Sequence, residues 1–181
     1  MRWRRTLGID VIDTSDASKV GSVDGIVVDV DSSRCVGVVT GAGVIGWDDS
    51  GGVGRDAVTI SSRDLVREPS TDAEEAAVQG RSDPLGRRVL TEDGVALGKV
   101  ADVSFDAETG EIRRLLLPDD DVQGNRLLGI GSYAVIVASP DREDADDLSG
   151  LTRDELYERA RARDIEGRSG MTKQELLDAL S

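Results

Sequence analysis

An internal repeat at a separation of 77 residues constrains this chain more than any other feature. Residues 21–40 read GSVDGIVVDVDSSRCVGVVT, and residues 98–117 read GKVADVSFDAETGEIRRLLL. Without a gap, Gly21 meets Gly98, Val23 meets Val100 and Asp29 meets Asp106. Ile26, Val28, Val38 and Val39 meet Val103, Phe105, Leu115 and Leu116. The same offset lays Gly52-Val53-Gly54 on Gly129-Ile130-Gly131 and Ala57-Val58 on Ala134-Val135. Upstream, Leu7-Gly8 matches Leu85-Gly86 with one residue of slippage. A repeat of this kind means that one supersecondary unit occurs twice, so both copies must satisfy the same fold.

Each copy reads as β. Ile26, Val28 and Val30 alternate with Val27 and Asp29, and Val103, Phe105 and Ala107 follow the same period of two. From Val23 to Ile26, and from Val100 to Val103, the apolar spacing is three. That predicts a β-bulge at the same place in both copies. Asp106-Ala-Glu-Thr-Gly110 predicts a turn that joins this strand to 112–117 as an antiparallel hairpin. In the first copy Ser33 stands where Gly110 stands in the second. A last strand, Ala57–Ile60 or Ala134–Val137, closes each copy, and several short strands separated by turns indicate a barrel or sandwich. Units of this size are small for a self-sufficient core, so the copies are expected to pack on each other or pair between chains. Residues 67–83, with Pro69, Ser70, Thr71 and a Glu-Glu-Ala-Ala run, read as a linker with room for a short helical turn.

The second copy carries Leu85-Gly86, Leu97-Gly98-Lys99-Val100-Ala101-Asp102-Val103 and Asp106-Ala-Glu-Thr-Gly110. This pattern resembles the PRC-barrel domain, and the first copy keeps Leu7-Gly8, Val20-Gly21-Ser22-Val23 and Asp29 of it. The resemblance implies two tandem small β-barrels, residues 1–66 and 84–139. It also implies an adaptor that binds other proteins rather than an enzyme.

Ser139-Pro140 ends the second copy, and residues 140–149 form an acidic linker extended by self-repulsion. Residues 150–181 change to helical texture. Thr152-x-x-Glu155 and Thr172-x-x-Glu175 are capping boxes, with Leu151/Leu156 and Met171/Leu176 placed as hydrophobic staples. They predict one helix running to about Arg163 and another from Lys173 to Leu180, joined by an extended link. Leu156, Tyr157, Ala160, Ile165, Leu176, Leu177 and Leu180 can form one small core. The pattern from Leu151-Thr152 through Ile165-x-Gly167-Arg168-Ser169 to Met171-x-Lys173-x-Glu175-Leu176 resembles the helix–extension–helix of the Rho N-terminal domain, and is similar to SAP-type domains. That resemblance implies contact with nucleic acid. By position, Arg168, Ser169, Thr172 and Lys173 are the residues to carry it, because free N–H groups and the dipole at a helix start favour a phosphate. The plainer reading leaves Arg168 a solvated link residue, Thr172 only a cap and Lys173 a surface charge, and a protein-docking role for this unit stays open.

The net charge is −14, and an acidic body repels phosphates at long range. Only residues 151–181, with six basic and seven acidic groups, are near neutral. There is no His, which removes the usual general base and the commonest metal ligand. The single Cys, Cys35, excludes an internal disulfide and a thiolate zinc site, and suits a reducing cytoplasm. Met1-Arg-Trp-Arg-Arg is basic, but Gly8-Ile9-Asp10-Val11-Ile12-Asp13 supplies no apolar run after it, and no stretch has membrane-spanning length.

Three motifs look chemical. Gly41-Ala-Gly43-Val-Ile-Gly46 has dinucleotide spacing, but a turn follows it instead of a helix. Asp119-Asp120-Asp121 and Asp29/Asp31 lack calcium-loop spacing. Cys35 matches Ile112 and is expected to be a buried thiol. Trp3 and Trp47 are expected to pack against the barrels, whereas an exposed Trp would anchor an interface. No catalytic, cofactor-binding or metal-ligating residue is expected.

The expected fold class is therefore mainly β: two tandem small PRC-type β-barrels plus a short C-terminal two-helix domain. The expected function is that of a non-catalytic cytoplasmic adaptor. Its barrels bind a protein partner or self-associate as a homodimer, and its C-terminal unit contacts single-stranded RNA or DNA. The alternative is a purely structural assembly protein, dimeric through its barrels, with no nucleic-acid binding.

Overall fold

The alternating segments become strands. In the computed structural model, which describes residues 1–139, 152–162 and 171–180, the first half contains β1 (Asp10–Asp13), β2 (Lys19–Asp29), β3 (Arg34–Thr40), β4 (Gly43–Gly46), β5 (Ser50–Val53) and β6 (Ala57–Ile60). They form one sheet in the order β4-β3-β2-β1-β6-β5. β2 is long enough to serve two neighbours. Its first part pairs with β1, Val11 opposite Gly21, and its second part with β3, Ile26 opposite Val38. β1 lies parallel to β6, Val11 opposite Val58, so the first and last strands of the half meet.

The second half contains β7 (Arg88–Thr91), β8 (Ala96–Lys99), β9 (Asp102–Phe105), β10 (Ile112–Leu116), β11 (Val122–Gln123), β12 (Leu127–Ile130) and β13 (Ala134–Val137). β7 is parallel to β13, Val89 opposite Val135, and antiparallel to β8. β8 and β9 together take the place of β2, interrupted at Val100-Ala101, which leaves sheets of four and three strands. The interruption falls where the apolar spacing is three. In the first half the β2–β3 register slips at the same place, between Val23 and Gly25. The extra residue turns both flanking side chains inward, and Val23, Ile26, Val100 and Val103 are all buried.

Backbone hydrogen bonds recur with the sequence offset. Gly8 N donates to Val23 O at 2.7 Å and Gly86 N to Val100 O at 2.8 Å. Gly54 N donates to Ala57 O, and Gly131 N to Ala134 O, both at 2.9 Å. β5 and β6 coincide with β12 and β13 at a separation of 77, and β1 with β7 at 78, the slippage the sequence shows upstream.

The halves join through β3 and β10. Cys35 N donates to Gly110 O at 2.8 Å and Ile112 N to Ser33 O at 2.9 Å, around an antiparallel bridge between Arg34 and Glu111. At the repeat offset Cys35 corresponds to Ile112 and Ser33 to Gly110. Exchanging the halves therefore turns one bond into the other, and the join has local two-fold symmetry. Inward faces of both halves merge into one core that holds Ile26 and Val38 with Val103 and Leu115. Trp47 of the first half stands edge-on to Phe105 of the second, with ring centroids 5.7 Å apart and planes at 81°, the arrangement the ring quadrupoles favour. A shared core answers the small size of each half, and Met1–Val137 is one compact unit, with Ala138–Ser181 the other.

Two straps cover strand edges of the first unit. Met1 N donates to Phe105 O at 2.5 Å, Phe105 N donates to Met1 O at 3.1 Å, and Arg2 bridges Ser104, so the N-terminus lies along β9. α1 (Trp3–Thr6) follows and buries Trp3. Along β4, Val44 N donates to Arg67 O at 2.8 Å and Arg67 N to Val44 O at 3.0 Å. Such cover removes the unpaired edge that invites association. The chain then enters α2 (Asp72–Val78), within the segment expected as a linker. Thr71 caps it, accepting from Glu74 N at 3.2 Å, and Ala77 packs on Val27, Val39 and Val44. Glu74 ties helix to strap. It accepts from Arg67 Nη2 at 2.6 Å and Nη1 at 2.9 Å, and from Ser70 N at 2.7 Å.

In the other unit, α3 (Arg153–Ala162) and α4 (Lys173–Leu180) bury Leu156, Ala160 and Leu176 together, with Tyr157 and Met171 packed against them. Ile165 and the acidic linker 140–149 lie outside the described residues.

The turn at the join generates one prediction. Ser33 has φ +52° and Gly110 φ +75°, a region that costs a residue with a Cβ about 1–2 kcal/mol. Ser33→Gly raises the urea-unfolding free energy of the full chain by about 0.5–1 kcal/mol. Gly110→Ala lowers it by more than about 2 kcal/mol, because its Cβ also drives into the Cys35 carbonyl.

Glu74 generates another. The Arg67 guanidinium, ahead of the Ser70 bonds, holds its carboxyl at about 2 against an ordinary 4.5. On acidification the unfolded chain takes up this proton first. The stabilisation is complete above pH 4.5 and disappears as pH falls through about 2. Urea midpoints measured at pH 7, 4.5, 3 and 2 decline over that window, and Glu74→Gln lowers the pH 7 value while flattening the decline.

Candidate functional site

Of the residues singled out in the C-terminal unit, Arg168 and Ser169 lie outside the described residues. Thr172 and Lys173 sit at the start of α4. Glu175 Oε2 accepts from Thr172 N at 2.8 Å and from Thr172 Oγ1 at 2.9 Å, and Thr172 Oγ1 accepts from Glu175 N at 3.3 Å. This is the reciprocal capping box. The Thr172 amide, and then its hydroxyl, hold the Glu175 carboxyl below its ordinary value. Thr172 is thus engaged as a cap, and a carboxylate already sits on the helix start. Lys173 is exposed beside it. Arg153 Nε donates to Met171 O at 3.1 Å and ties the first helix to the approach of the second.

In the other unit the repeat builds the same hollow twice, on either side of the Arg34–Glu111 join. One groove, about 500 Å³, is lined by Arg34, Cys35, Val36, Gly46, Trp47 and Asp48. The other, about 360 Å³, is lined by Glu111, Ile112, Arg113, Gln123, Gly124 and Asn125. Each residue of the first set stands 77 positions before its counterpart in the second. Their charges differ: Asp29 and Asp49 extend the first groove, and Arg114 the second. Their floors differ too. A Cβ on Gly124 would overlap the Ile112 carbonyl, so backbone closes the second groove where the Trp47 side chain closes the first.

The charged groups around these grooves hold the turns. Asp106 accepts from Thr109 N at 3.0 Å, Glu108 N at 2.9 Å and Arg113 Nη2 at 2.6 Å. These bonds, the Thr109 amide foremost, keep its carboxyl at about 2. Arg34 Nε reaches across the join to Thr109 O at 2.8 Å, and Arg114 lies 3.8 Å from Asp121.

The groups that could react are similarly occupied or shielded. Burial pushes the Cys35 thiol up to about 12, so at neutral pH it carries its proton and is a poor nucleophile. Buried Asp13 accepts from Ser15 Oγ at 2.7 Å, Ser15 N at 2.9 Å and Arg63 N at 2.7 Å, and Ser15 above all lowers its pKa. Gly41 and Ala42 form the two-residue turn between β3 and β4, with Thr40 opposite Gly43. The glycine pattern therefore leads into a strand, not into the helix N-terminus that a pyrophosphate needs. Among the described residues no three His, Cys, Asp or Glu side chains gather to hold a metal ion. Asp119, Asp120 and Asp121 are exposed before β11. Trp3 and Trp47 are both buried in the core, the packing role expected of them. No helix among the described residues is long and apolar enough to cross a membrane.

Residues 78–142 match the PRC-barrel domain family. The match takes in β7 to β13, the whole of the second half. No curated protein matches the chain.

Proposed function

We propose that this chain is a non-catalytic cytoplasmic adaptor. Two PRC-type barrels in tandem, residues 1–66 and 84–139, form its body. A Rho-N/SAP-like helix–extension–helix unit at 150–181 contacts single-stranded RNA or DNA. The observation that carries the reading is the recurrence, in the first half, of the strand positions and backbone bonds of the half that matches the PRC-barrel family. The barrels offer paired grooves and exposed sheet faces for docking. Their carboxylates hold turns and their thiol is buried, which favours binding over reaction.

A chain of charge −14 attracts no nucleic acid from a distance. Contact therefore rests on a few short-range cations, Arg168 and Lys173 foremost, with Ser169 and Thr172 beside them. Two phosphate contacts on a single strand give a log–log salt slope of about −1.4. The net charge and the carboxylate on the start of α4 favour a second reading, an assembly protein dimeric through its barrels with no nucleic-acid role.

Fluorescence anisotropy of single-stranded RNA and DNA oligonucleotides with the full chain separates the two. Expected are binding at low salt, that shallow slope, and about tenfold weakening in Arg168→Ala/Lys173→Ala, from the loss of a charged contact or two. No binding of either oligonucleotide at low salt discards the nucleic-acid part and leaves the assembly reading.

A further inference from the structure

Because the two halves repeat, each serves as a control for the other, and one ion pair fails to repeat. In the second half Asp106 takes the amides of its own turn on Oδ1, from Glu108 N at 2.9 Å and Thr109 N at 3.0 Å, and the Arg113 guanidinium on Oδ2 at 2.6 Å. Asp29 is its counterpart in the first half. The turn recurs, with Asp31 N donating to Asp29 Oδ1 at 3.3 Å. The guanidinium does not. Val36, 39 % exposed, stands at the position of Arg113. On Asp29 Oδ2 the exposed Ser32 hydroxyl donates instead, at 2.5 Å. An ionised carboxylate offers about four acceptor sites, so Asp29 can take a guanidinium and keep its turn.

Asp29 lies in the wall of the groove of about 500 Å³, together with Ser32, Val36, Trp47, Asp48 and Asp49. A hollow of that size is in the range of ligand sites. Its charge is unbalanced. Arg34, the cation in its lining, donates to Thr109 O across the join and makes no ion pair among the described residues. Asp48 and Asp49 are replaced in the second half by Asn125 and Arg126. The first groove thus sets three carboxylates against one guanidinium, and the corresponding positions of the second half set two against two. The three carboxylates do not gather to hold a metal ion. The cation they suit is an extended one. Val36 and the floor of Trp47 offer apolar surface to its stem, and a long basic side chain lays its methylenes on such surface while its head reaches the charge. A planar guanidinium matches a carboxylate with two parallel donors, which an ammonium cannot do.

We propose that the groove of the first half is the docking site for an arginine side chain of a partner protein, seated against Asp29 as Arg113 is seated against Asp106. The inference rests on the reading of the barrels as docking modules and names the chemistry that one groove takes. An acidic peptide or a polyanion would meet three carboxylates there. The pair is open to solvent, so one arginine by itself docks weakly, with a millimolar Kd, and a partner adds the rest from the residues beside it.

Proton–nitrogen correlation NMR of the full chain at low salt tests it. The probe is a capped tripeptide with arginine between two glycines, titrated to about 50 mM to bracket a millimolar Kd. Expected are saturable shifts of the Val36, Asp48 and Asp49 amides and of the Trp47 indole, while the amides of Arg113, Gln123 and Asn125 stay in place. Replacing arginine by citrulline, which keeps the shape and removes the charge, weakens binding at least about fivefold, and Asp29→Asn does the same. Val36→Arg gives the first half the arginine of the second and abolishes binding. Val78→Arg adds the same charge on the exposed side of α2 and leaves Kd within about twofold. Val36 and Val78 are both exposed, so these variants keep the test decisive if Asp29→Asn unfolds. The absence of any saturable shift overturns the proposal. So do equal shifts in both grooves, an equal Kd for the citrulline peptide, or binding undiminished by Val36→Arg. Oligonucleotide anisotropy reads the adaptor's nucleic-acid role separately, so either idea can fail without the other.

Discussion

The exchange of two backbone hydrogen bonds between β3 and β10 is the contact on which the rest of the first unit depends. Cys35 N reaches Gly110 O and Ile112 N reaches Ser33 O. The acceptors are the two turn residues in left-handed backbone. Their conformation aims a carbonyl at the opposite half, so the turn geometry answers to the join as much as to its own hairpin. That accounts for a serine at φ +52°, where a hairpin alone would favour glycine. Immediately behind these amides, Cys35 and Ile112 are buried, and the two inward faces become one core. Neither half would otherwise exclude enough water from a core so poor in aromatics.

A local two-fold axis creates a packing problem that the sequence has to break. Identical large side chains near an axis meet their own images. Here the large residues are staggered: Trp47 corresponds to Gly124, and Phe105 to Val28. Each half thus supplies one large and one small residue at these positions, and the two rings meet edge to face. The asymmetry spreads outward. Gly124 lets its backbone come against the Ile112 carbonyl, the strand before it shrinks to Val122–Gln123, and the grooves differ in floor and in volume. Duplicated sequence therefore produces related hollows that are not interchangeable.

The repeating parts of this architecture were legible because side chains write them. Alternation marks the strands. A spacing of three between Val23 and Ile26, and between Val100 and Val103, marks the register slip. Thr172-x-x-Glu175 marks the start of α4 through a bond that side chains make. The glycine pattern at 41–46 was separable from a cofactor loop because its counterpart in the other copy is Pro118-Asp-Asp-Asp121. What stayed hidden is held by main chain across long separations. Met1 and Arg2 pair with Phe105 and Ser104, and Val44 pairs with Arg67, through amides and carbonyls that every residue owns. The burial of Trp3 and the short apolar face of α2, Ala73 and Ala77, were the available hints. A two-alanine stripe is too weak to distinguish a packed helix from a linker turn. Of the candidate nucleic-acid residues, the cap at Thr172 could be read from spacing, whereas Lys173 carries no pattern beyond its place beside that cap.

The acidity of the chain finds its explanation at the same level. Asp13, Asp16, Asp29, Asp83 and Asp106 each accept the backbone N–H of the residue two positions on. That is the turn an Asp side chain makes with its own backbone. A fold of many short strands needs many turns, and here aspartate supplies several of them. Hydrogen bonding at these turns favours the charged form: the Ser15 and Ser18 side chains foremost, and then their amides, lower the values of Asp13 and Asp16, and the Thr109 amide foremost, then Arg113 and the Glu108 amide, lowers that of Asp106. Each such turn adds a permanent negative charge, and their accumulation repels polyanions at long range. The net charge is in this respect a consequence of how the strands are connected, and it restricts the partner only by requiring that any contact with phosphate be local.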